Sequence, residues 1–198
     1  MARYVARFET RTPDWNAFSD ASIEGYRRAQ HRFIGAGASG KHDDAGVIPA
    51  TGFTLSIMLV PPGQGNAPHT HEVEEVFFIL QGRCVVFIED EDGRRLSQEL
   101  GPWEMISCPP GVIHGYVNET EEDCYLQVML GRGRPETAGF ADESLFARRD
   151  AHLGGVNDTR RQQVSSKDFR LHPCNETPLA QSIASFNKAA VDQVDSPR

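Results

Sequence analysis

Between Gly63 and Gly82 the chain reads Gly-Gln-Gly-Asn-Ala-Pro-His-Thr-His-Glu-Val-Glu-Glu-Val-Phe-Phe-Ile-Leu-Gln-Gly. Two histidines one residue apart, followed by a glutamate, are the residue types that hold a divalent transition metal. Successive side chains of a strand point to opposite faces. His69, His71 and Glu75 are therefore expected on one face, with Phe77 and Ile79 continuing it and Glu74 pointing away. A fourth ligand is offered by the segment from Gly111 to Asn118, Gly-Val-Ile-His-Gly-Tyr-Val-Asn, in the form of His114. Burying such groups without a positive charge between them would cost on the order of several kcal/mol.

Together the two segments resemble the cupin family. Gly63, His69, His71, Glu75 and Gly82 stand at the spacing of its first motif, Gly, five residues, His-x-His, three or four residues, Glu, six residues, Gly. Pro109, Gly111, His114 and Asn118 fill all but the first position of its second motif, Gly, five residues, Pro-x-Gly, two residues, His, three residues, Asn. That first position is Trp103, and the nearest glycine is Gly101, so the turn before this strand departs from the family pattern. The resemblance spans about Phe53 to Leu130 and implies a small β-barrel with His69, His71, Glu75 and His114 as metal ligands.

Three neutral imidazoles and one carboxylate leave a divalent metal one positive charge and, if it is six-coordinate, two open positions. Nitrogen and oxygen ligands without thiolate suit Fe, Mn, Ni, Co or Cu, whereas Zn more often stops at four ligands. Resemblance to cupin dioxygenases favours Fe(II) and implies oxidative cleavage of an enol, hydroxy-ketone or phenolic substrate in an apolar pocket built from residues such as Phe77, Ile79 and Met129. The alternatives are a metal-dependent isomerase, lyase or decarboxylase, in which the metal is a Lewis acid beside a general acid or base, and a ligand-binding cupin without catalysis. Tyr116 and Tyr125 are the candidate catalytic groups.

The elements that must position these residues follow from the hydrophobic pattern. Phe53 to Val60 alternates and stops at Pro61-Pro62, Arg83 to Glu89 and Arg94 to Leu100 flank the turn Asp90-Glu-Asp-Gly93, and Met105 to Cys108 and Cys124 to Leu130 are further strands. Short strands at this spacing indicate an all-β barrel or sandwich. The expected architecture is a single cupin β-barrel, jelly-roll-like, over 51–130. A strand from Arg3 to Thr10, a helix from Ser19 or Asp20 to about Phe33 and a loop make up an N-terminal extension over 1–50. A tail over 131–198 carries a short helix from Asp142 to Asp150, a polar stretch from Gly154 to Ser166 and a second helix from Pro178 to Val191. Gly35 to Lys41 matches Gly-x-Gly-x-x-Gly, but it follows an expected helix and begins none, so it is read as a loop, with Lys41 or His42 free to fold over the barrel mouth.

Composition narrows the class. With 20 basic and 28 acidic residues among 198 and a net charge of −8, phosphate-backbone binding has no electrostatic support, so nucleic acid is excluded as a partner. No apolar run is long enough to span a bilayer, and Met1 to Phe8 lacks the apolar core of a signal peptide. A cytoplasmic protein acting on a small molecule is expected, with Cys84, Cys108, Cys124 and Cys174 as scattered reduced thiols. The apolar N-terminal strand and amphipathic helix, set beside a barrel with open edges, suggest a homodimer.

Overall fold

Alternation of side chains along short strands builds two antiparallel sheets. The computed structural model describes residues 1–44 and 46–153; they fall in a unit running Met1–Asn157, and the unit Asp158–Arg198 lies outside them. The expected polar stretch after Gly154, the helix from Pro178 to Val191 and Cys174 also lie outside the described residues. In chain order the strands are β1 (Ala29–Ile34), β2 (Thr54–Val60), β3 (His69–Thr70), β4 (Glu75–Gln81), β5 (Cys84–Glu89), β6 (Arg95–Leu100), β7 (Met105–Cys108), β8 (His114–Val117), β9 (Cys124–Leu130) and β10 (Gly139–Phe140), followed by the helix α1 (Ser144–His152). One sheet has the order β1-β2-β9-β4-β7 and the other β10-β3-β8-β5-β6. Apart from the neighbouring pairs β1-β2 and β5-β6, consecutive strands are thus dealt to opposite sheets, the arrangement of a jelly-roll barrel, and the fold is the all-β one expected.

Between the sheets lies a core of Met58, Val60, Phe77, Ile79, Cys84, Val86, Cys108, Tyr116, Cys124, Leu126 and Val128. The inward rows of β9 and β4 are in register, Phe77 opposite Val128 and Ile79 opposite Leu126. Strand β2 carries an inversion. Its buried face is Thr54, Ser56, Met58 and Val60, while the more apolar row of Leu55, Ile57 and Leu59 is only half-buried on the outside. The interior end of β2 borders a cavity rather than a dry core, and hydroxyls are tolerated where they face a space that water or a ligand can fill.

The N-terminal extension differs from expectation. Arg3 to Thr10 is not a strand but two single 3-10 turns, Ala2–Tyr4 and Phe8–Thr10, and Ser19 to Phe33 is not a helix. Only Ser19–Ser22 forms a 3-10 turn, Gly25 takes a left-handed φ of 87°, and the chain then extends into β1. The spacing of Ile23, Tyr26, Ala29 and Phe33 imitates a helix, but Arg28, Gln30 and Arg32 also alternate with Ala29, His31 and Phe33, and pairing of β1 with β2 selects that second period. With neither the strand nor the helix present, the homodimer expectation loses both elements that motivated it. The segment Gly35–Lys41 is a loop with one 3-10 turn, Gly37–Ser39. Lys41 does not fold over the barrel mouth, because its ammonium is held by Asp14 at 2.9 Å and by the Asn16 carbonyl at 2.8 Å. The C-terminal helix expected over 142–150 is α1, shifted by two residues.

Two glycines and one tryptophan shape the turns that matter. Gly82 has φ +74°, and a Cβ there would lie 2.5 Å from the Asp123 carbonyl oxygen, so the glycine closing the first motif cannot carry a side chain. Gly65 is more constrained still, since its Cβ would meet the Tyr116 carbonyl oxygen at 2.2 Å. Trp103 occupies the position where the motif has glycine and adopts the conformation glycine would supply, φ 72°, with its side chain 78% exposed. A left-handed residue with a Cβ costs about 1–2 kcal/mol, and replacement by glycine returns about 0.5–1 kcal/mol of that to the unfolded chain as entropy. Trp103→Gly is therefore expected to be neutral or to stabilise by up to ~1 kcal/mol in a denaturant titration, and a clear loss would show that the indole contributes packing that its exposure does not suggest.

Candidate metal centre

The local chain path explains how four polar side chains come to share one buried point. His69 lies on β3 and is paired directly across the sheet with His114 on β8. Beyond Thr70 the chain leaves that sheet, turns through 71–74 and enters the opposite sheet at Glu75. His69, His71 and Glu75 do not share one face of a single strand, as their odd numbering suggests; they meet because the chain crosses the barrel between them. Glu74 is exposed and its carboxylate accepts from the Ser107 hydroxyl, on the outside.

All four side chains are buried, and one ligand atom from each lies within 4.8 Å of the others. The Nε2 atoms of His114, His69 and His71 stand 2.7, 3.3 and 3.7 Å from a single carboxylate oxygen, Glu75 Oε2. The remote nitrogens explain why Nε2 points inward. His69 Nδ1 sits 2.9 Å from the Ala67 carbonyl and His114 Nδ1 2.8 Å from that of Val112. A carbonyl only accepts, so each Nδ1 must carry the proton, and each Nε2 presents a lone pair to the cluster in the neutral ring. His71 Nδ1 has no partner among the described residues.

Electrostatics agree with that arrangement. Burial pushes His71 down to about 3, against the opposing pull of Glu75, and the neighbouring His69 and His114 push the same way. Burial alone would raise the Glu75 carboxyl, but His71, His114 and His69, when a ring nitrogen facing it carries a proton, hold it well below the usual carboxylate range. An ionised carboxylate among neutral imidazoles is a donor set that fits a divalent cation, and His69, His71, Glu75 and His114 would hold it.

Beside the cluster a cavity opens toward the barrel mouth. Met58, Phe77, Val128, Leu130 and Phe140 give it an apolar side. Arg28, Gln30, Thr54, Ser56, Asn66 and Tyr116 give it a polar one. Residues 17–20, 37–39 and 137–138 and the α1 residues Arg149 and His152 complete the wall. Of the two candidate catalytic tyrosines, Tyr116 lines this cavity and is 2% exposed. Burial pushes its phenol up, and nearby Glu75 adds to the rise while Arg28 opposes it, so it keeps its proton. Tyr125 is not at the site. Cys124 and Leu126 point inward, so Tyr125 points out, where its ring meets Phe8 edge-on at 5.8 Å. The same parity removes Met129 from the expected pocket and puts Val128 and Leu130 there instead, while Ile79 belongs to the core below. The motif spacing gives no sign of Arg28, Gln30 or Ser56; the alternation Arg28-x-Gln30-x-Arg32 is the signal that would have placed the first two on an inward strand face.

A proton-linked stability follows from His71. Its folded value near 3 lies below the ordinary 6.5, so between those pH values the unfolded chain binds the extra proton and the folded one does not. Stability is then present above about pH 6.5 and declines as pH falls toward 3, by at most ~1.4 kcal/mol per pH unit for one proton. Thermal melts of the metal-free protein should show this decline, and His71→Asn should flatten it between about pH 6.5 and 5.

Comparison with known proteins agrees with the architecture. Residues 56–130 match the family described as the cupin domain. A germin-like protein, subfamily T member 3, of Arabidopsis thaliana is 28% identical over 89 residues, 44% of this chain and 39% of its own length. The dimethylsulfoniopropionate lyase DddQ of Ruegeria pomeroyi is 28% identical over 95 residues, covering 48% of this chain and 44% of the lyase. The matches thus span about two fifths of the length of these curated relatives. Among solved structures, an oxalate oxidase superposes with a TM-score of 0.53 at 18% identity, over 73% of this chain and 66% of the oxidase. The polyketide cyclase RemF of Streptomyces resistomycificus gives 0.52 at 21%, over 69% of this chain and 84% of the cyclase. At those identities the likeness is one of fold. No helix among the described residues is long and apolar enough to cross a membrane. A two-sheeted barrel of this topology, matched to the family along its central strands, makes residues 56–130 of this chain a cupin domain.

Proposed function

We propose that the cavity is the active site of a mononuclear metal-dependent enzyme acting on a small oxygen-bearing molecule, most directly a non-haem Fe(II) dioxygenase taking an enol, hydroxy-ketone or phenolic substrate. One observation carries this reading: three imidazole Nε2 atoms converge on Glu75 Oε2 at the edge of a cavity. A divalent cation held there would supply Lewis acidity and, if redox-active, electrons for dioxygen. Residues of the chain supply the remaining requirements. Phe77, Val128 and Leu130 exclude water from one side of a bound molecule, and the protonated Tyr116 hydroxyl can donate to an acceptor oxygen on it.

That hydroxyl also favours a second reading. A buried phenol that keeps its proton beside the cluster is suited to deliver it to a leaving group, which is the requirement of a metal-dependent lyase, isomerase or decarboxylase. The similarity to a dimethylsulfoniopropionate lyase supports this class, over the 44% of that protein that is covered. The cupin fold itself does not choose between the two. A protein that binds metal and ligand without turnover would be the ligand-binding cupin instead.

Metal analysis after anaerobic purification without added metal tests both readings. About one divalent ion per chain is expected, with iron and oxygen uptake supporting the dioxygenase and zinc without oxygen uptake supporting the lyase class. His71→Ala and His114→Ala each remove a ligand and should reduce occupancy at least tenfold while the barrel stays folded. Glu74→Ala, whose side chain faces outward, should retain the metal. Equal loss from Glu74→Ala and Glu75→Ala would place the ion somewhere other than this cluster.

A further inference from the structure

Among the described residues, the most heavily buried charges outside the cluster are Asp20 and Arg28, 1% and 6% exposed, and both lie in the N-terminal arm, before the residues matched to the cupin domain. Arg28 donates to both Asp20 carboxylate oxygens at 3.0 Å and to the Tyr26 carbonyl at 2.9 Å, with its guanidinium 4.5 Å from the centre of the Phe18 ring. A buried ion pair of this kind is a poor stabiliser, because desolvation offsets most of the attraction and an apolar pair of similar volume often serves as well. Its geometry suggests a different role.

Asp20 Oδ2 also accepts a hydrogen bond at 3.0 Å from the backbone N–H of Ala67. The carbonyl of the same residue accepts from His69 Nδ1. Ala67 is therefore gripped on its amide side by the arm and grips the imidazole on its carbonyl side. The loop carrying it is tied down at neighbouring points. Gly65 N–H donates to the Gly25 carbonyl at 2.8 Å, the Arg27 N–H donates to Gln64 Oε1 at 2.9 Å, and Asn66 Oδ1 accepts from the Tyr116 N–H at 2.8 Å. Arg28 orients the carboxylate, the carboxylate orients the peptide, and the peptide fixes which nitrogen of His69 is protonated and where the other one points.

We propose that Asp20 is a positioning residue for the metal centre, through which the N-terminal arm sets the orientation of His69. The inference rests on the metal-binding reading of the cluster. The acceptor on Ala67 N–H, rather than the ion pair as such, is the working part. Remote partners that orient a metal-bound histidine typically change metal affinity 10–100-fold.

Co(II) titration of the full-length chain, stripped of metal, separates the possibilities. Asp20→Leu/Arg28→Met replaces the pair by apolar groups and removes the acceptor; it should bind Co(II) about 10–100-fold more weakly than the wild type, with a changed d–d absorption spectrum. Asp20→Asn/Arg28→Met also lacks the ion pair but keeps an amide oxygen for the Ala67 N–H, and should bind within about threefold of the wild type with the wild-type spectrum. If both double variants bind like the wild type, or both are equally weakened, the assignment is overturned. In the unmodified protein the Ala67 amide must be strongly protected from hydrogen exchange, and rapid exchange there overturns it even if a variant fails to fold. Failure of the wild type to bind Co(II) at all would instead defeat the metal reading on which this one stands.

Discussion

A single buried carboxylate constrains the rest of the molecule. Glu75 is 4% exposed, and the polar atoms around its Oε2 are imidazole nitrogens whose other ring nitrogens, in two cases, are committed as donors to backbone carbonyls. An ionised carboxylate and neutral rings with inward lone pairs repel one another unless a cation lies between them. The cluster is costly to the fold without a metal and well made for one. That is the physical reason to read it as a centre rather than as a set of core histidines.

Meeting this constraint decides the course of the chain. His69 and His114 face each other across one sheet, Glu75 enters from the other, and His71 sits on the crossing between them. The crossing needs the loop before it held close, which Gly65 permits by letting the backbone approach Tyr116. It also needs the following hairpin to turn at Gly82, against the chain at Asp123. The inward hydroxyls of β2 and the fixed phenol of Tyr116 then line the space that the cluster faces. Outside the matched domain, the N-terminal arm and α1 finish the cavity, so the elements that vary most readily in a barrel of this kind are the ones that complete its wall here.

Much of this could be read directly in the sequence, for identifiable reasons. The meeting of His69, His71, Glu75 and His114, the outward Glu74 and the strands from Thr54 to Leu130 follow from motif spacing and period-2 alternation, which local physics enforces. The single-strand geometry assumed for His69, His71 and Glu75 did not hold, because parity cannot show that a chain changes sheets. The arm departs from expectation because Ile23, Tyr26, Ala29 and Phe33 fit a helical period, and only the partner strand β2 reveals the competing strand period. Tyr125 and Met129 were placed in the site by residue type; the inward row of β9 is its even-numbered one, a choice fixed by register with β4. Trp103 looked like a break in the second motif, yet it adopts the left-handed φ of the glycine it replaces.

X-ray absorption at the K-edge of the bound metal tests the central claim most directly, since it reads the ligand shell rather than its consequences. The account predicts a first shell of nitrogen and oxygen alone, near 2.0–2.2 Å, with the outer-shell scattering of three imidazoles. Cys108 lies on β7 opposite Glu75 and is buried, with burial pushing its thiol up and out of reach as a thiolate. A sulfur scatterer in the first shell, or a spectrum lacking imidazole, would contradict the assignment of His69, His71, Glu75 and His114 as the centre around which this chain is built.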